Sequence, residues 1–422
     1  MKRYSFVIAV LASFLSACTS SPVLQLKNNT AKARKDAPVV ISRVEIQKLT
    51  GEIPNEKFPV VTDEKGTVIP SQIDDLDRDG KWDELALVCD FEAKEVKKLN
   101  VNFVSYDKIP EYTVRTNVRL GVGSIEGGFE GVDHAVSPKG FTGVPISYQA
   151  ESVSWENDLM GFRDYFDCRN AKDLFGKLQP EMIMDNIGTK ESTSYHELSS
   201  WGMDILHVGP SLGAGGLALF HQDSLYRLGS TDKFEFQLVT KGPVRSVFEL
   251  NYGGWNVDGK SLSAQEKITV WAGKYWFQSD VTVGGLDEES ELAVGIVTSY
   301  LKEKKPFSFT ANNQFEAIAT HDIQSMNNDC LAMGVLFPSD SKVRIGDAPV
   351  LSEEVSNGSR WNQPVGLTHF VTQKINNNKS ATHYFFAAWE LENKKWAEQE
   401  NFKNLMKSQA DELSSPVVVS IK

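Results

Sequence analysis

Cysteine, basic residues and long apolar runs are all scarce in this sequence, and each scarcity removes a class of protein. Four cysteines occur in 422 residues, and the first, Cys18, stands apart from the rest. Cys89, Cys168 and Cys330 are widely spaced and contain no C-x-x-C pair, which excludes a clustered thiolate metal site, a dithiol redox motif and a disulfide-built fold. Cys89 and Cys330 border the apolar runs 85–91 and 331–337, a setting for small buried thiols rather than nucleophiles. Lysine and arginine number 44 against 56 aspartates and glutamates, a formal net charge of −12. No basic stripe offsets that field, so nucleic acid is not an expected partner, whereas an anionic small substrate needs only a few local cations. Gly121-x-Gly123 is not part of a G-x-G-x-x-G motif and has no βαβ context, so no nucleotide cofactor is expected. His221-x-Asp223 lacks a third ligand at recognisable spacing, which argues against catalytic zinc.

The one conspicuous apolar run is at the start. Lys2 and Arg3 precede Phe6 to Leu15, a stretch too short to span a bilayer, and Leu15-Ser16-Ala17-Cys18 has the small-small-Cys form of a bacterial lipoprotein cleavage site. The expectation is a signal peptide over 1–17, a lipid on Cys18, and a tether over 18–39 whose Asn28 to Asp36 stretch is polar and lysine-containing. Thr19 and Ser20 bring no acidic residue behind the cysteine, which points to the outer membrane, facing the periplasm. The lipid would be the chain's only membrane contact.

Beyond the tether the pattern is period two. Leu99 to Val104, Val244 to Tyr252, Glu266 to Trp271, Trp276 to Val283, Ala293 to Ser299, Leu331 to Leu336 and His383 to Trp389 are rich in β-branched and aromatic residues and are separated by turn formers. This predicts an all-β protein. Val257-Asp258-Gly259-Lys260 and Trp271-Ala272-Gly273-Lys274 are expected to turn three consecutive strands into a meander. Gly121 to Gly140 is expected to be a long surface loop. One helix is expected over Lys394 to Ser408, with Trp396, Phe402 and Leu405 on one face. Ile109-Pro110-Glu111 marks a boundary between a small N-terminal β unit over 40–108 and a large β domain over 109–422.

Asp75-Leu76-Asp77-Arg78-Asp79-Gly80-Lys81-Trp82-Asp83-Glu84 places carboxylates at loop positions 1, 3, 5 and 9 and glycine at position 6, a spacing that converges hard oxygen ligands on Ca²⁺. The twelfth position is Ala86, so Glu84 or a distant residue would have to complete the shell. Any ion here is expected to be structural. The competing reading is an acidic turn whose Asp side chains bond their own backbone.

Two segments concentrate polar and aromatic groups. In Trp155 to Asp167, continuous extension would put Glu156, Asp158, Phe162 and Asp164 on one face and Trp155, Arg163 and Tyr165 on the other. The second runs from Tyr195-His196-Glu197 through Trp201-Gly202-Met203-Asp204 to His207. Arg163 could clamp a uronate carboxylate while His196 or Tyr195 carries the proton from the adjacent carbon. Alternatively Glu156 or Asp158 could face Asp204 as the carboxylate pair of a glycoside hydrolase. Trp155, Tyr165, Trp201 and His207 are the expected sugar-binding groups. Against both stands structural pairing of Arg163 with Asp158 or Glu156.

Phe58-Pro59-Val60, Ile69-Pro70-Ser71-Gln72, the acidic loop, Trp155-Glu156-Asn157-Asp158 with Phe162-Arg163 and Tyr165, and Tyr195-His196 with Trp201-Gly202-Met203-Asp204 together resemble the bacterial domain-of-unknown-function family 4861, over about residues 40–390. The resemblance implies a galactose-mutarotase-like β-supersandwich and an association with breakdown of pectin and other uronate polysaccharides. It supplies no established catalytic residues. The expected function is therefore an envelope lipoprotein enzyme acting on acidic, pectin-like oligosaccharides by lyase, hydrolase or epimerase chemistry. The alternatives are a non-catalytic glycan-binding lipoprotein of a polysaccharide-utilisation system and a scaffold in an outer-membrane complex.

Overall fold

The period-two segments pair antiparallel throughout the computed structural model, which describes residues 23–137, 148–190, 194–229, 231–348 and 364–421. Cys18 and the leader before it lie outside the described residues. The largest sheet has nine strands, with Lys233–Lys241, Arg245–Val257, Lys260–Trp271, Trp276–Gly284 and Ser380–Trp389 adjacent at its centre. Two five-stranded sheets face it, one built around Met160–Tyr165 and Lys172–Lys177, the other around Ala214–His221 and Ser290–Val297. Phe248, Ile268, Phe277 and Phe385 from the large sheet meet Trp155, Phe162, Leu217 and Val294 from the facing sheets in one continuous core. The protein is an all-β supersandwich. Among the described residues no helix is long and apolar enough to cross a membrane.

The expected meander is present. Val257 pairs with Lys260 across a two-residue turn in which Asp258 and Gly259 both have positive φ, 49° and 81°, the geometry an Asp-Gly hairpin turn requires. The C-terminal helix runs over Gln399–Ser414, preceded by a 3₁₀ turn at Lys394–Ala397, with Glu398 between them. It lays Phe402, Met406 and Ala410 on Ala317, Ala319, Ala332 and Ala388 of the large sheet's outer face, where small side chains let the helix approach closely.

Three expectations about the chain's layout change. Residues 24–27 and 34–39 of the expected tether lie in strands, the second continuing to Ser42, and Leu24 and Leu26 are fully buried in the core of the N-terminal unit. The alternation Leu-Gln-Leu-Lys is short, yet it finds partners on both edges: Val96–Val104 on one side and the C-terminal strand Val418–Ile421 on the other. The N-terminal unit is thus closed by the end of the chain, and a division at 109 omits that strand. Gly121 to Gly140 is not one long loop: Gly121–Ser124 and Gly128–Gly131 pair as a hairpin, and His134–Ser137 joins the large sheet, while 138–140 lie outside the described residues.

The N-terminal unit is fastened to the sandwich by charged and amide groups. Buried Asp74 pairs with Arg245, which also reaches Glu84 at 2.8 Å. Gln72 Oε1 accepts from the backbone N–H groups of Val244 and Arg245, and its amide nitrogen donates to the Arg245 carbonyl at 2.9 Å. Arg115 bridges Asp36 of the N-terminal unit and Asp158, both at 2.6 Å.

Candidate functional site

The site is set by a tight turn that the assumption of continuous extension misses. Asn157 Oδ1 accepts from the backbone N–H groups of Leu159 and Met160, folding Ser152–Asn157 back on Met160–Tyr165 with Glu156 opposite Gly161. Side-chain parity reverses across this turn. Trp155 therefore faces the sandwich core with Phe162 and Asp164, while Glu156 shares the outer face with Arg163 and Tyr165. Trp155 is fully buried against Phe162, Phe248 and Phe277, so it is a core residue and not a sugar platform.

On the outer face, Arg163 gathers the polar residues of both segments. Its Nε and Nη2 donate to Asp173 Oδ2 at 3.0 and 2.6 Å, Nη2 also to Asp204 Oδ2 at 2.7 Å and to the Tyr165 hydroxyl at 2.9 Å. Nη1 reaches the Tyr195 hydroxyl and the Ala150 carbonyl, both at 3.3 Å. Every N–H of the guanidinium is thereby engaged. Arg163 is 2 % exposed and has no donor left for a ligand, which corrects its expected role as a carboxylate clamp. The Ala150 carbonyl is presented by two successive left-handed residues, Ala150 and Glu151, with φ of 48° and 59°, a costly conformation for side-chain-bearing residues.

His196 is the most exposed group of this cluster. Its Nδ1 lies 3.2 Å from Asp204 Oδ2, with the His196 side chain 49 % exposed and Asp204 buried. The hydrogen bond and charge of Asp204 raise the proton affinity of the imidazole against the opposing effect of partial burial. Behind it, burial and the neighbouring Asp204 push Asp173 up to about 6, since one guanidinium serves two carboxylates. Tyr195 packs its ring 4.4 Å from that of His196 and, with half-buried Trp201, covers Phe175. The backbone N–H of Asp204 donates to the Tyr195 carbonyl at 2.8 Å, closing the loop that carries His196. An aspartate that fixes one imidazole nitrogen leaves the other to exchange a proton, the basic requirement of acid–base chemistry.

The paired-carboxylate expectation is not supported by this geometry. Glu156 is fully buried, bound to Lys177 at 2.7 Å and to the backbone N–H groups of Ile183 and Met184. Asp158 is held by Arg115 and accepts from Gly273 N at 2.7 Å. Both are saturated structural groups, and the pairing of Arg163 is with Asp173 and Asp204 rather than with either of them. Tyr165 sits between two guanidinium groups, Arg163 and Arg169, with its hydroxyl donating to Asp173 at 2.9 Å. His207 is exposed beyond Asp204. The three described cysteines are free, and burial pushes Cys89 and Cys330 up to about 12 and Cys168 to about 11, as expected of inert thiols.

The acidic loop brings Asp75, Asp77 and Asp83 together, with one carboxylate oxygen of each within 4.8 Å of the others. These are hard ligands suited to Ca²⁺. Asp79 is absent from that group and accepts from Lys81 N at 2.8 Å, and Glu84 is turned to Arg245. The same carboxylates cap the turn, Asp75 accepting from Gly80 N and Asp83 from Leu76 N.

Asp173 is the central residue that sequence inspection missed. Its signal was available: Arg163 pairs directly with Asp173, and Asp164 with Lys172, across one hairpin, so two opposite-charge pairs lie on its two faces.

Comparison with known proteins gives one relative along the full chain, Uncharacterized protein P7 of Formosa agariphila, 23 % identical over 435 residues and covering 97 % of both chains. Among solved structures, an alpha-mannosidase from Enterococcus faecalis V583 aligns with 96 % of this chain at a TM-score of 0.41 and 9 % identity. A protein in the glycosyl hydrolase family 38 from Enterococcus faecalis aligns with 95 % at a TM-score of 0.39 and 8 % identity. The chain spans 46 % and 47 % of the lengths of those two structures. The family model for the domain of unknown function DUF4861 matches residues 26–419, and the chain belongs to that family.

Proposed function

We propose that this protein is a carbohydrate-active lipoprotein of the bacterial envelope, anchored through Cys18 at the outer membrane and facing the periplasm, where it acts on acidic, uronate-containing oligosaccharides. The observation that carries the reading is the His196–Asp204 pair, fixed from behind by the buried Arg163 and open to solvent at the imidazole. Asp204 orients the ring, Arg163 orients Asp204, and His196 moves the proton in elimination, hydrolysis or epimerisation next to the substrate carboxylate. Once it has taken the proton, His196 is itself the cation beside that carboxylate, a role Arg163 is too buried to play. Tyr195 and Trp201 form the adjoining walls. Asp75, Asp77 and Asp83 would hold a structural Ca²⁺ in the N-terminal unit.

The second reading, glycan binding without turnover, is favoured by one observation: Arg163 has no free donor with which to stabilise developing charge. The two are separated by incubating the protein, with and without calcium, with saturated and unsaturated uronic oligosaccharides. Absorbance of the unsaturated uronate and product masses are followed. The wild type should change one or both, and His196→Ala should remove the change while leaving binding measurable. Turnover that survives in His196→Ala would overturn the assignment, and binding without any turnover in the wild type would establish the second reading.

A further inference from the structure

Beyond Asp204 the chain reaches a second exposed ring pair. His207 stacks on Tyr300 with centroids 4.7 Å apart and planes only 8° from parallel, and Tyr300 is 40 % exposed. Ser299 Oγ donates to the His207 carbonyl at 3.0 Å, so the contact of the same oxygen with His207 Nδ1 at 3.3 Å must be donated by the ring. That fixes the tautomer and leaves Nε2 as an acceptor. Burial lowers the proton affinity of His207, with Asp204 acting in the opposite sense, so Asp204 influences both His196 and His207.

The Tyr300 loop is held in place before any ligand arrives. Asp322 Oδ2 accepts the backbone N–H groups of Lys302, Glu303 and Lys304 at 2.6, 2.9 and 3.1 Å, and Thr298 N donates to the Leu367 carbonyl at 2.8 Å. Lys302, Lys304 and Lys305 follow Tyr300 in the sequence, all exposed, with Glu303 among them, in a chain whose net charge is −12. The ammonium groups of Lys302 and Lys304 touch neutral partners, Asn328 Oδ1 at 2.9 Å and His321 Nδ1 at 3.3 Å; the nearby carboxylates are those of exposed Glu303 between them and of Asp322, which is engaged by the backbone of this segment. Burial lowers the proton affinity of His321, which keeps that partner neutral.

We propose that Tyr300, backed by His207, and the lysines 302, 304 and 305 form a subsite for a further acidic sugar ring of an oligosaccharide whose reacting ring lies at His196. An aromatic face takes the apolar face of a pyranose, the His207 acceptor takes a hydroxyl, and the lysines take the carboxylate. A loop already pinned by Asp322 spares the ordering cost of binding. This rests on the uronate reading of the His196 site and names where a longer substrate would continue.

The experiment titrates the wild type, Tyr300→Ala, Tyr300→Phe and Lys305→Glu with oligogalacturonides of increasing length. Thermal unfolding checks that each variant is folded. Affinity should rise with chain length in the wild type, and Tyr300→Ala should remove that gain, about fivefold for the longer chains, while leaving the shortest ligand unchanged. Tyr300→Phe should keep it. Lys305→Glu should weaken long chains by about threefold at low salt and less at high salt. Length-dependent binding that is identical in Tyr300→Ala and the wild type would overturn the subsite while leaving the His196 reading intact. Absence of binding at every length in the wild type would overturn both.

Discussion

One hairpin, Met160–Tyr165 with Lys172–Lys177, carries a buried charge cluster on each face, and the two are built to different standards. On the outer face Arg163 satisfies Asp173, Asp204 and two tyrosine hydroxyls, and the network ends at the half-exposed His196. On the inner face, inside the sandwich, Lys172 lies 2.8 Å from Glu266 and 3.1 Å from Asp164, and Ser279 Oγ donates to Glu266 at 2.7 Å. There the accounting is incomplete. Neither Asp164 oxygen has a well-aligned donor, and both nitrogens of fully buried His383 lack a partner among the described residues. Burial pushes Asp164 up to about 7 and, with Lys172 beside it, His383 down to about 3. Burial and shifted proton affinity are therefore shared by both faces, and only access to solvent separates a group that could act on a ligand from one that braces the fold.

Removing the cation from each face tests that contrast most severely. Lys172→Met leaves Asp164 and Glu266 in the core with no positive charge and no route to water, at an expected cost of about 3–5 kcal/mol. Arg163→Met strands Asp173 and Asp204, yet His196 can supply a charge from the solvent side, so the expected cost is smaller, about 2–4 kcal/mol. Urea unfolding of both variants at neutral pH measures the order. An Arg163→Met protein less stable than Lys172→Met would mean that the outer network is the principal brace and that its opening to solvent matters little.

The inner cluster holds one lysine and two carboxylates, and the surplus charge sets a pH dependence. Asp164 binds its proton more tightly folded than unfolded, so its contribution to stability is full below the ordinary carboxylate range near 4. It is lost as pH rises through about 7. Asp164→Asn leaves a balanced Lys172–Glu266 pair. The variant should lose less stability than the wild type between pH 5 and pH 8, and should be the more stable of the two at pH 8 by about 1 kcal/mol. Parallel pH profiles in urea would show that Asp164 is ionised throughout and that Lys172 already compensates both carboxylates.

The sequence declared the β class because alternation and turn chemistry act locally: Asp258-Gly259 shaped its hairpin with no help from the rest of the chain. It also brought Tyr195, His196, Arg163 and Asp204 together as a group, since motifs dense in polar and aromatic residues stand out from strand surface. What it hid depended on one residue or on distant partners. The turn at Asn157 reverses parity and moves Trp155 from surface to core. Leu24-Gln-Leu-Lys looks like tether until Val418–Ile421, from the far end of the chain, pairs with it. The helix Arg43–Thr50 does carry a local signal, the reciprocal capping box of Ser42 and Glu45 in the S-x-x-E spacing. Tyr300 gave no such signal, because its stacking partner lies far away in sequence.

The smallest expected effect on stability belongs to the residue assigned the largest effect on function. His196 is half exposed, so after solvent screening its pairing with Asp204 should contribute below about 1 kcal/mol. Its proton affinity is raised on folding, so that contribution is full below pH about 6.5 and disappears as pH rises through the higher folded value. His196→Ala should therefore unfold within about 1 kcal/mol of the wild type near pH 6 and closer still at pH 9. A loss as large as that of Arg163→Met would make His196 one more brace, and the two faces of the hairpin would then differ in completeness but not in kind. A small loss joined to abolished turnover would instead separate a network that holds its shape without the imidazole from the imidazole that uses that shape.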